Sequence, residues 1–563
     1  MIMDSHASQS NLVIITHRNK ILRFVKVYLR TLILLLTPLV LIPIATIGSD
    51  NAYISFYIFL VTAVYWIANV LHPGVMSLIM LAFITILGSF DKKLINTITI
   101  GNSVLDCLSV MIVIIAIEQS HIHRRAAIKI LLLFGCSHFR LSFILFFTTM
   151  ILSMWLTNTM TCGLMLPLVK GILKELEKMG ILETREITVE LNQNDELVQR
   201  PTDFTVFYFL GIAYSSSIGG MATIVGSETN QLLRNYCSLL FPQSPRLEVP
   251  HYLLLTLPGV IIMEMCLYLW LNFYFLGMLR VQNYTALQTS LTGEEEQYIS
   301  ILLNTQYEQM GKIKFQEMIV SGIVVLTAIF QAVTNATSLS HITNTSLVRA
   351  SVPIIISVII LFIIPVDCDC LKFFTRNKEP LPTSRSRGIL TWSMVRKNLH
   401  WSVLFVTASS NITFETMKYS KMTDEFEKCL LLIGNLPLPV TALAVTILCK
   451  VLTEFACNAT VARCLLKHIA SLSVAAKINP LYLMISATLS CSLPFHLMTG
   501  TPANALVVAY VNIPHHKMLI AGIGPSIVGI LTNMFTSCVW SKAIWPDIDT
   551  YPEWAEEMNM NVN

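Results

Sequence analysis

Charge is scarce in this sequence: only 13% of its 563 residues are Asp, Glu, Lys or Arg, against 54% hydrophobic residues and a mean hydropathy of +0.64. A soluble core cannot absorb that much apolar side chain, which excludes an ordinary soluble domain and puts the chain in a bilayer. The motifs of soluble catalysis are missing too: there is no HExxH, no GxSxG, no P-loop and no GxGxxG. No enzyme, no cofactor and no nucleic-acid partner is therefore expected. Thirteen cysteines are scattered without a repeated CxxC spacing. Their one cluster, Cys368 and Cys370 with Asp367 and Asp369, follows an apolar run and reads as a membrane-proximal loop rather than a metal site. The apolar run at 12–15 is too short for a signal-peptide core, so no cleaved presequence is expected.

What is present is a series of apolar stretches, among them 32–48, 53–70, 251–277, 315–333, 350–366 and 517–540. Each approaches the roughly 20 residues that a spanning helix needs, so the fold class is an all-α polytopic membrane protein. Arg18, Lys20, Arg23, Lys26 and Arg30 crowd the amino end, which places the tail 1–20 in the cytoplasm, while the acidic carboxyl tail, 546–563, is expected outside. Polar segments at 119–130, 171–204, 279–314 and 373–398 are rich in Lys or Arg and suit cytoplasmic loops. Among the sequons at Asn283, Asn335, Asn344, Asn411 and Asn458, the candidate glycan sites are Asn335 and Asn344, in a polar gap between two spans.

The most informative pattern is an internal echo. Ser153-x-x-x-Thr157-Asn158-Thr159 is followed by Gly226-Ser227-Glu228-Thr229-Asn230, and Thr453-x-x-x-Cys457-Asn458-Ala459 by Gly500-Thr501-Pro502-Ala503-Asn504. Repeated halves that interrupt hydrophobic segments with small and polar residues point to a transporter whose site lies at the repeat interface. Ser153 and Thr157, four apart, share a helix face ahead of a break at Asn158 and Thr159. Oxygens gathered there, with carbonyls freed by the break, suit a hard cation, and amides at half-helix amino ends attract carboxylates. Such residues also serve simply to hydrogen-bond neighbouring helices, but packing gives no reason for the same order to recur. Gly219, Gly220, Gly226 and Pro502 suit the breaks. Arg463 reads equally as a site residue or as a basic side chain snorkelling near a helix end beside Lys467 and His468. Glu118 reads as a helix-end charge, and Glu454 is a candidate for proton coupling.

These residues resemble the divalent anion and sodium symporters, whose animal members carry sodium with citrate, succinate or sulfate. The likeness runs through Glu118-Gln-Ser-His-Ile-His-Arg-Arg, Ser153-Met-Trp-Leu-Thr-Asn-Thr, Ala213-Tyr-Ser-Ser-Ser-Ile-Gly-Gly, Thr453-Glu-Phe-Ala-Cys-Asn, Asn479-Pro-Leu-Tyr, Gly500-Thr-Pro-Ala-Asn-Ala and the tail from Lys542 to Trp554. It implies one transporter unit over 1–563 with about 11 transmembrane helices. Two inverted repeats, about 21–278 and about 315–545, would flank the loop 279–314, each with a re-entrant hairpin, in an elevator-type homodimer. The family's Ser-Asn-Thr tips fall on Thr157-Asn158-Thr159 and Cys457-Asn458-Ala459. The resemblance thus implies substrate contacts from Asn158, Thr159, Ser227, Asn458, Ala459 and Thr501. Sodium contacts would come from Ser153, Thr157, Asn158, Gly226, Thr453, Cys457, Asn458, Gly500 and Pro502.

Departures from that pattern cluster at the site: Cys457 replaces a hydroxyl with soft sulfur, a poor ligand for a hard cation. Ser109-Val110, Ala408-Ser409-Ser410, Glu228-Thr229 and Arg463 depart as well. The expected function is plasma-membrane transport of di- or tricarboxylates with sodium as co-substrate. The alternatives are a sodium-independent exchanger, a sulfate carrier, or an anion-binding membrane protein that has lost transport.

Overall fold

The structure is a computed structural model that describes residues 17–46, 51–87, 101–189, 197–244, 247–277, 293–337, 352–366 and 387–556. Seven helices among these residues are long and apolar enough to cross a membrane: Val27–Thr46, Asn51–Ala68, Ser103–Ser120, Val249–Leu276, Phe315–Thr334, Leu438–Phe455 and His515–Ile544. Their large side chains face outward without penalty in lipid, as at Val40, Leu326 and Leu531. Shorter apolar helices pack between them, including Pro73–Leu87, His138–Ser153, Val352–Ile363, Pro480–Cys491 and Pro502–Val511. A helix of 12 residues such as Val352–Ile363 rises about 18 Å, short of the roughly 30 Å hydrocarbon layer. The described part of the apolar run at 350–366 is thus shorter than a full span.

Two helical hairpins organise the interior. His138–Ser153 and Asn158–Lys178 both lie along Asp203–Gly220, and Leu438–Phe455 and Asn458–Ala475 both lie along Pro480–Cys491. Each pair must therefore fold back at its break, because a continuous rod of that length would overshoot its short neighbour. The backbone opens to extended conformations there, at Thr157 (φ −66°, ψ 148°) and at Ala456 (φ −143°, ψ 162°). Each hairpin's neighbour also ends in a break, 221–227 after Gly220 and 492–501 after Cys491, before Glu228–Leu240 and Pro502–Val511 resume.

The polar segments expected to be loops contain built elements. Within 171–204 the first hairpin's helix runs on to Lys178, and the strands Arg185–Val189 and Leu197–Pro201 then pair antiparallel, Arg185 opposite Pro201. The chain is therefore not wholly α-helical: β-branched Ile187, Thr188, Val189 and Val198 favour paired strands. Within 279–314, Gly293–Gln309 is a helix. Asn335 belongs to the last turn of Phe315–Thr337, whereas Asn344 and the Cys368–Cys370 cluster lie outside the described residues. Of the 119–130 segment, Ile122–Phe134 is a helix whose Arg125 is buried.

Arg125 Nε donates to Glu317 Oε2 at 3.0 Å, and its remaining nitrogens donate to the carbonyls of Gly311 (3.0 Å) and Met310 (3.3 Å). With the two side chains only 7% and 5% exposed, Arg125→Ala leaves an uncompensated buried carboxylate. The expected loss is about 3–5 kcal/mol, read as a clear fall in the thermal unfolding midpoint of the detergent-purified protein. An unchanged midpoint would contradict this role.

Candidate functional site at the two hairpin tips

The first tip gathers more oxygens than hydrogens. Ser153 Oγ lies 2.6 Å from the Ser216 carbonyl and 3.0 Å from Asn158 Oδ1, yet a hydroxyl has a single hydrogen to donate. A Cβ at Gly226 would stand 2.7 Å from Ser153 O and 3.1 Å from Gly220 O, and one at Gly220 would stand 2.0 Å from Asn158 Oδ1. Glycine at these two positions lets the loop backbone close on the tip, so its carbonyls join the same cluster. Thr157 caps the second arm by accepting from Met160 N at 3.4 Å, and Gln331 Nε2 donates to Thr157 Oγ1 at 3.2 Å. Thr157, Asn158 and Thr159 are half-buried.

The second tip pairs its oxygens differently. Thr453 Oγ1 donates to Cys491 O at 2.9 Å, one hydrogen for one acceptor. Asn458 Oδ1 already accepts from Ala459 N at 2.8 Å and faces Cys457 Sγ at 3.6 Å. Asn458 N donates to Gly500 O at 3.0 Å, and Cys457 N to Ser410 O at 3.3 Å. Cys457, Asn458 and Ala459 are all buried, at 2%, 9% and 4% exposure. Thr501 caps its helix by accepting from Asn504 N at 3.3 Å, and Pro502 fills the first turn, where no backbone donor is needed.

The halves interlock crosswise. Glu228–Leu240 packs on the second tip's helix and Pro502–Val511 on the first tip's helix, with Cys162 Sγ 3.9 Å from Ala503 O. Ser227 and Thr229 share a hydrogen bond of 2.8 Å, and Thr229 meets Ser492 of the other loop at 3.1 Å. The two halves thus meet through the loops and helices that carry the echoed residues.

Arg463 is held by two carboxylates. Its guanidinium donates to Glu228 Oε1 at 2.8 Å and to Glu415 Oε1 at 3.0 Å, so it ties the second tip's helix both to the first half's loop helix and to Trp401–Tyr419. That last helix clamps the tip along one face: Ser410 O takes Cys457 N, Asn411 takes Thr460 Oγ1 at 3.4 Å, and Phe414 O lies 3.5 Å from Cys464 Sγ. Ala408, Ser409 and Ser410, small and buried, permit the approach. Glu118 is a helix-end charge as expected, but a partnered one, with Lys170 Nζ at 2.6 Å and Tyr510 donating to the same oxygen.

Sequence reasoning missed the groups that hold the loops. Asn230 Nδ2 reaches Thr223 O at 2.8 Å and Gly220 O at 3.1 Å, and Asn504 Nδ2 reaches Pro494 O at 2.8 Å. The fifth position of each echo was the available signal. Thr223 Oγ1 donates to Met154 O and Thr499 Oγ1 to Glu454 O, each tying its loop to the same point of its hairpin. Glu454 is not the free proton carrier entertained from sequence. Its carboxylate accepts from the backbone of Phe495 (3.1 Å), His496 (3.0 Å) and Leu497 (3.1 Å) and pairs with Lys450. Glu454→Ala strips three backbone donors and leaves Lys450 buried alone, so loss of monodisperse protein on gel filtration is expected, at about 3–5 kcal/mol. A well-folded variant altered only in its pH profile would contradict this.

With this geometry in place, known proteins are informative. The sequence model of the citrate transporter family matches residues 57–488. The chain is 28% identical over 540 residues to Protein I'm not dead yet of Drosophila melanogaster, covering 93% of this chain and 91% of that protein. It is 25% identical over 578 residues to Na(+)/dicarboxylate cotransporter 3 of Homo sapiens, covering 95% of each. With Na(+)/citrate cotransporter of Mus musculus the identity is 26% over 571 residues, covering 94% and 97%.

Proposed function

The chain belongs to the citrate transporter family, and we propose that it is a secondary transporter of di- or tricarboxylates, of the succinate and citrate class, that uses one sodium ion at the first tip. The observation that carries this reading is that four helices that begin at breaks, at Asn158, Glu228, Asn458 and Pro502, pack crosswise, Asn158–Lys178 against Pro502–Val511 and Asn458–Ala475 against Glu228–Leu240. Helix amino ends are the positive poles of their dipoles and present unpaired amides, which suits carboxylates. Asn158, Thr159, Ser227, Asn458, Ala459 and Thr501 contact the substrate in this reading. The names of two relatives, one a dicarboxylate and one a citrate cotransporter with sodium, support the substrate class.

The sodium assignment is asymmetric. At the first tip, Ser153, Thr157, Asn158 and Gly226 surround the oxygen surplus, which a cation relieves. At the second, among Thr453, Cys457, Asn458, Gly500 and Pro502, the Thr453 hydroxyl, Asn458 Oδ1 and the Gly500 carbonyl each have a partner within the protein, and Cys457 offers sulfur in place of a hydroxyl. That pairing equally favours a second reading, a sodium-independent carboxylate exchanger. In either case the hairpins are re-entrant and the fold has about 11 spans. The halves 21–278 and 315–545 are inverted repeats joined by 279–314, and the hairpin body moves elevator-fashion against the other helices of a homodimer. The protein sits in the plasma membrane with 1–20 inside, 546–563 outside and glycans at Asn335 and Asn344.

Uptake of radiolabelled succinate and citrate by expressing cells, with sodium or choline outside, tests the reading beside Asn158→Ala. Sodium-stimulated uptake lost in that variant is expected. Uptake indifferent to sodium means exchange, and none in either buffer turns the question to sulfate and to binding without flux. Ser153→Ala is expected to raise the half-saturating sodium concentration about tenfold or more, the loss of one charge-assisted contact. Cys457→Ser, by restoring a hydroxyl, is expected to make the sodium response sigmoidal, and a response that stays hyperbolic contradicts the asymmetry.

A further inference from the structure

Glu264 lies in the middle of the span Val249–Leu276 and is 0% exposed. Ser215 Oγ contacts its Oε1 at 2.6 Å, and its Oε2 is buried with no partner. An ionised carboxylate removed from water without a counter-charge costs several kcal/mol, so this oxygen calls for a monovalent cation. Among the described residues Ser215 is the hydrogen-bond partner of this carboxylate, whereas a sodium ion gathers several oxygens and a proton needs one. We propose that Glu264 is a proton-binding site within the body that holds the first hairpin tip. The proton joins a carboxylate oxygen from water and makes the neutral acid. That acid donates to Ser215 Oγ across the contact in which, when ionised, it accepts.

The surroundings supply no competing charge. On Asp203–Gly220, Tyr208 is paired with His138 at 3.0 Å, Tyr214 donates to Phe495 O at 2.6 Å, and Asp203 is held by Lys517 at 2.7 Å. Asp203 lies twelve residues before Ser215 in the chain, about 18 Å along the helix. Ile523–Phe535 bears no titratable residue. His138–Ser153 brings His138 and the exposed Arg140, both at its far end, and beyond Ile523–Phe535 Cys538 faces Tyr482 and Lys542 pairs with Asp549. On Glu264's own helix, Tyr268 one turn away donates to Phe139 O at 3.1 Å, and His251, Tyr252, Cys266 and Tyr274 are the other titratable groups.

The position ties the proton to the tip. Ser215 is followed by Ser216, whose carbonyl holds Ser153, so a charge change at Glu264 acts one peptide away from the oxygen cluster. Rearranging the hairpin body with an unneutralised carboxylate inside it is unfavourable, and loading the proton removes that barrier.

The test rests on the carboxylate-carrier reading for its first readout only. Purified full-length protein and Glu264→Gln are reconstituted in liposomes, and succinate exchange is measured at equal pH on both sides, from about pH 6 to about pH 9, the range in which buried carboxylates exchange protons. Both proteins see the same substrate ionisation, so the variant-to-wild-type ratio isolates the protein. The ratio is expected to rise several-fold with pH, and a constant ratio overturns the proposal. If Glu264→Gln does not fold, Ser215→Ala serves: it displaces the pH midpoint of exchange, and an unmoved midpoint overturns the proposal. If wild type exchanges no succinate, the transport reading fails while the proton site is still decided by infrared difference spectra of the detergent-purified protein. A protonated-carboxyl C=O stretch lost at high pH, and absent from Glu264→Gln, is expected. Its absence from wild type, or its persistence in the variant, overturns the proposal.

Discussion

Breaking a helix at membrane depth leaves backbone donors and acceptors that no water can satisfy, and this requirement governs the rest of the structure. Each of the two loops is held by an asparagine whose amide hydrogens are spent on loop carbonyls, Asn230 in one half and Asn504 in the other. A threonine in each, Thr223 and Thr499, ties the loop to a carbonyl at its own hairpin's break. The second loop also needs three backbone donors accepted at once, and Glu454 does this with a carboxylate that Lys450 neutralises. Because those groups fix the loops, the small-residue approaches at Gly220 and Gly226 become possible, and only then do Ser153 and Asn158 face a wall of carbonyls.

The two tips have the same architecture and different chemistry. At the first, the Ser153 hydroxyl faces two acceptors with one hydrogen; at the second, the Thr453 hydroxyl has one acceptor and Asn458 Oδ1 has a backbone donor. The exchange of a hydroxyl for sulfur at Cys457 accompanies this, as does the appearance of Arg463 between Glu228 and Glu415. Three of the positions at which the sequence departs from its relatives' pattern, Glu228, Ser410 and Arg463, meet around the second tip or its helix. They form one rearranged neighbourhood rather than separate losses.

How much of this was legible depends on the range of the interaction. The breaks could be read because Gly, Pro and N-capping Thr act locally, and the echo between Gly226–Asn230 and Gly500–Asn504 marks residues with the same duty. The spans followed from composition, because a run of apolar residues is enough to mark one. Arg463 was ambiguous because its partners lie 235 and 48 residues away, and charge alone does not say what it will meet. Glu454 was misjudged since its partners are backbone amides, which every sequence has everywhere. The ribbon at Arg185–Pro201 and the helix Gly293–Gln309 were hidden by polar composition, which tells loop from span but not loop from extramembrane structure.

The crosswise packing has a consequence for synthesis. Cys162, one turn beyond the first tip, waits for Ala503, 341 residues later in the chain, which at 5–20 residues per second is a delay of about 17–70 s. Throughout that interval a broken helix with its polar tip stands in the membrane or its insertion machinery without the helix that will cover it. Neither half can finish its own tip. The site is therefore the last thing the chain completes, and membrane quality control has its longest view of the molecule at the stage when the first tip is still uncovered.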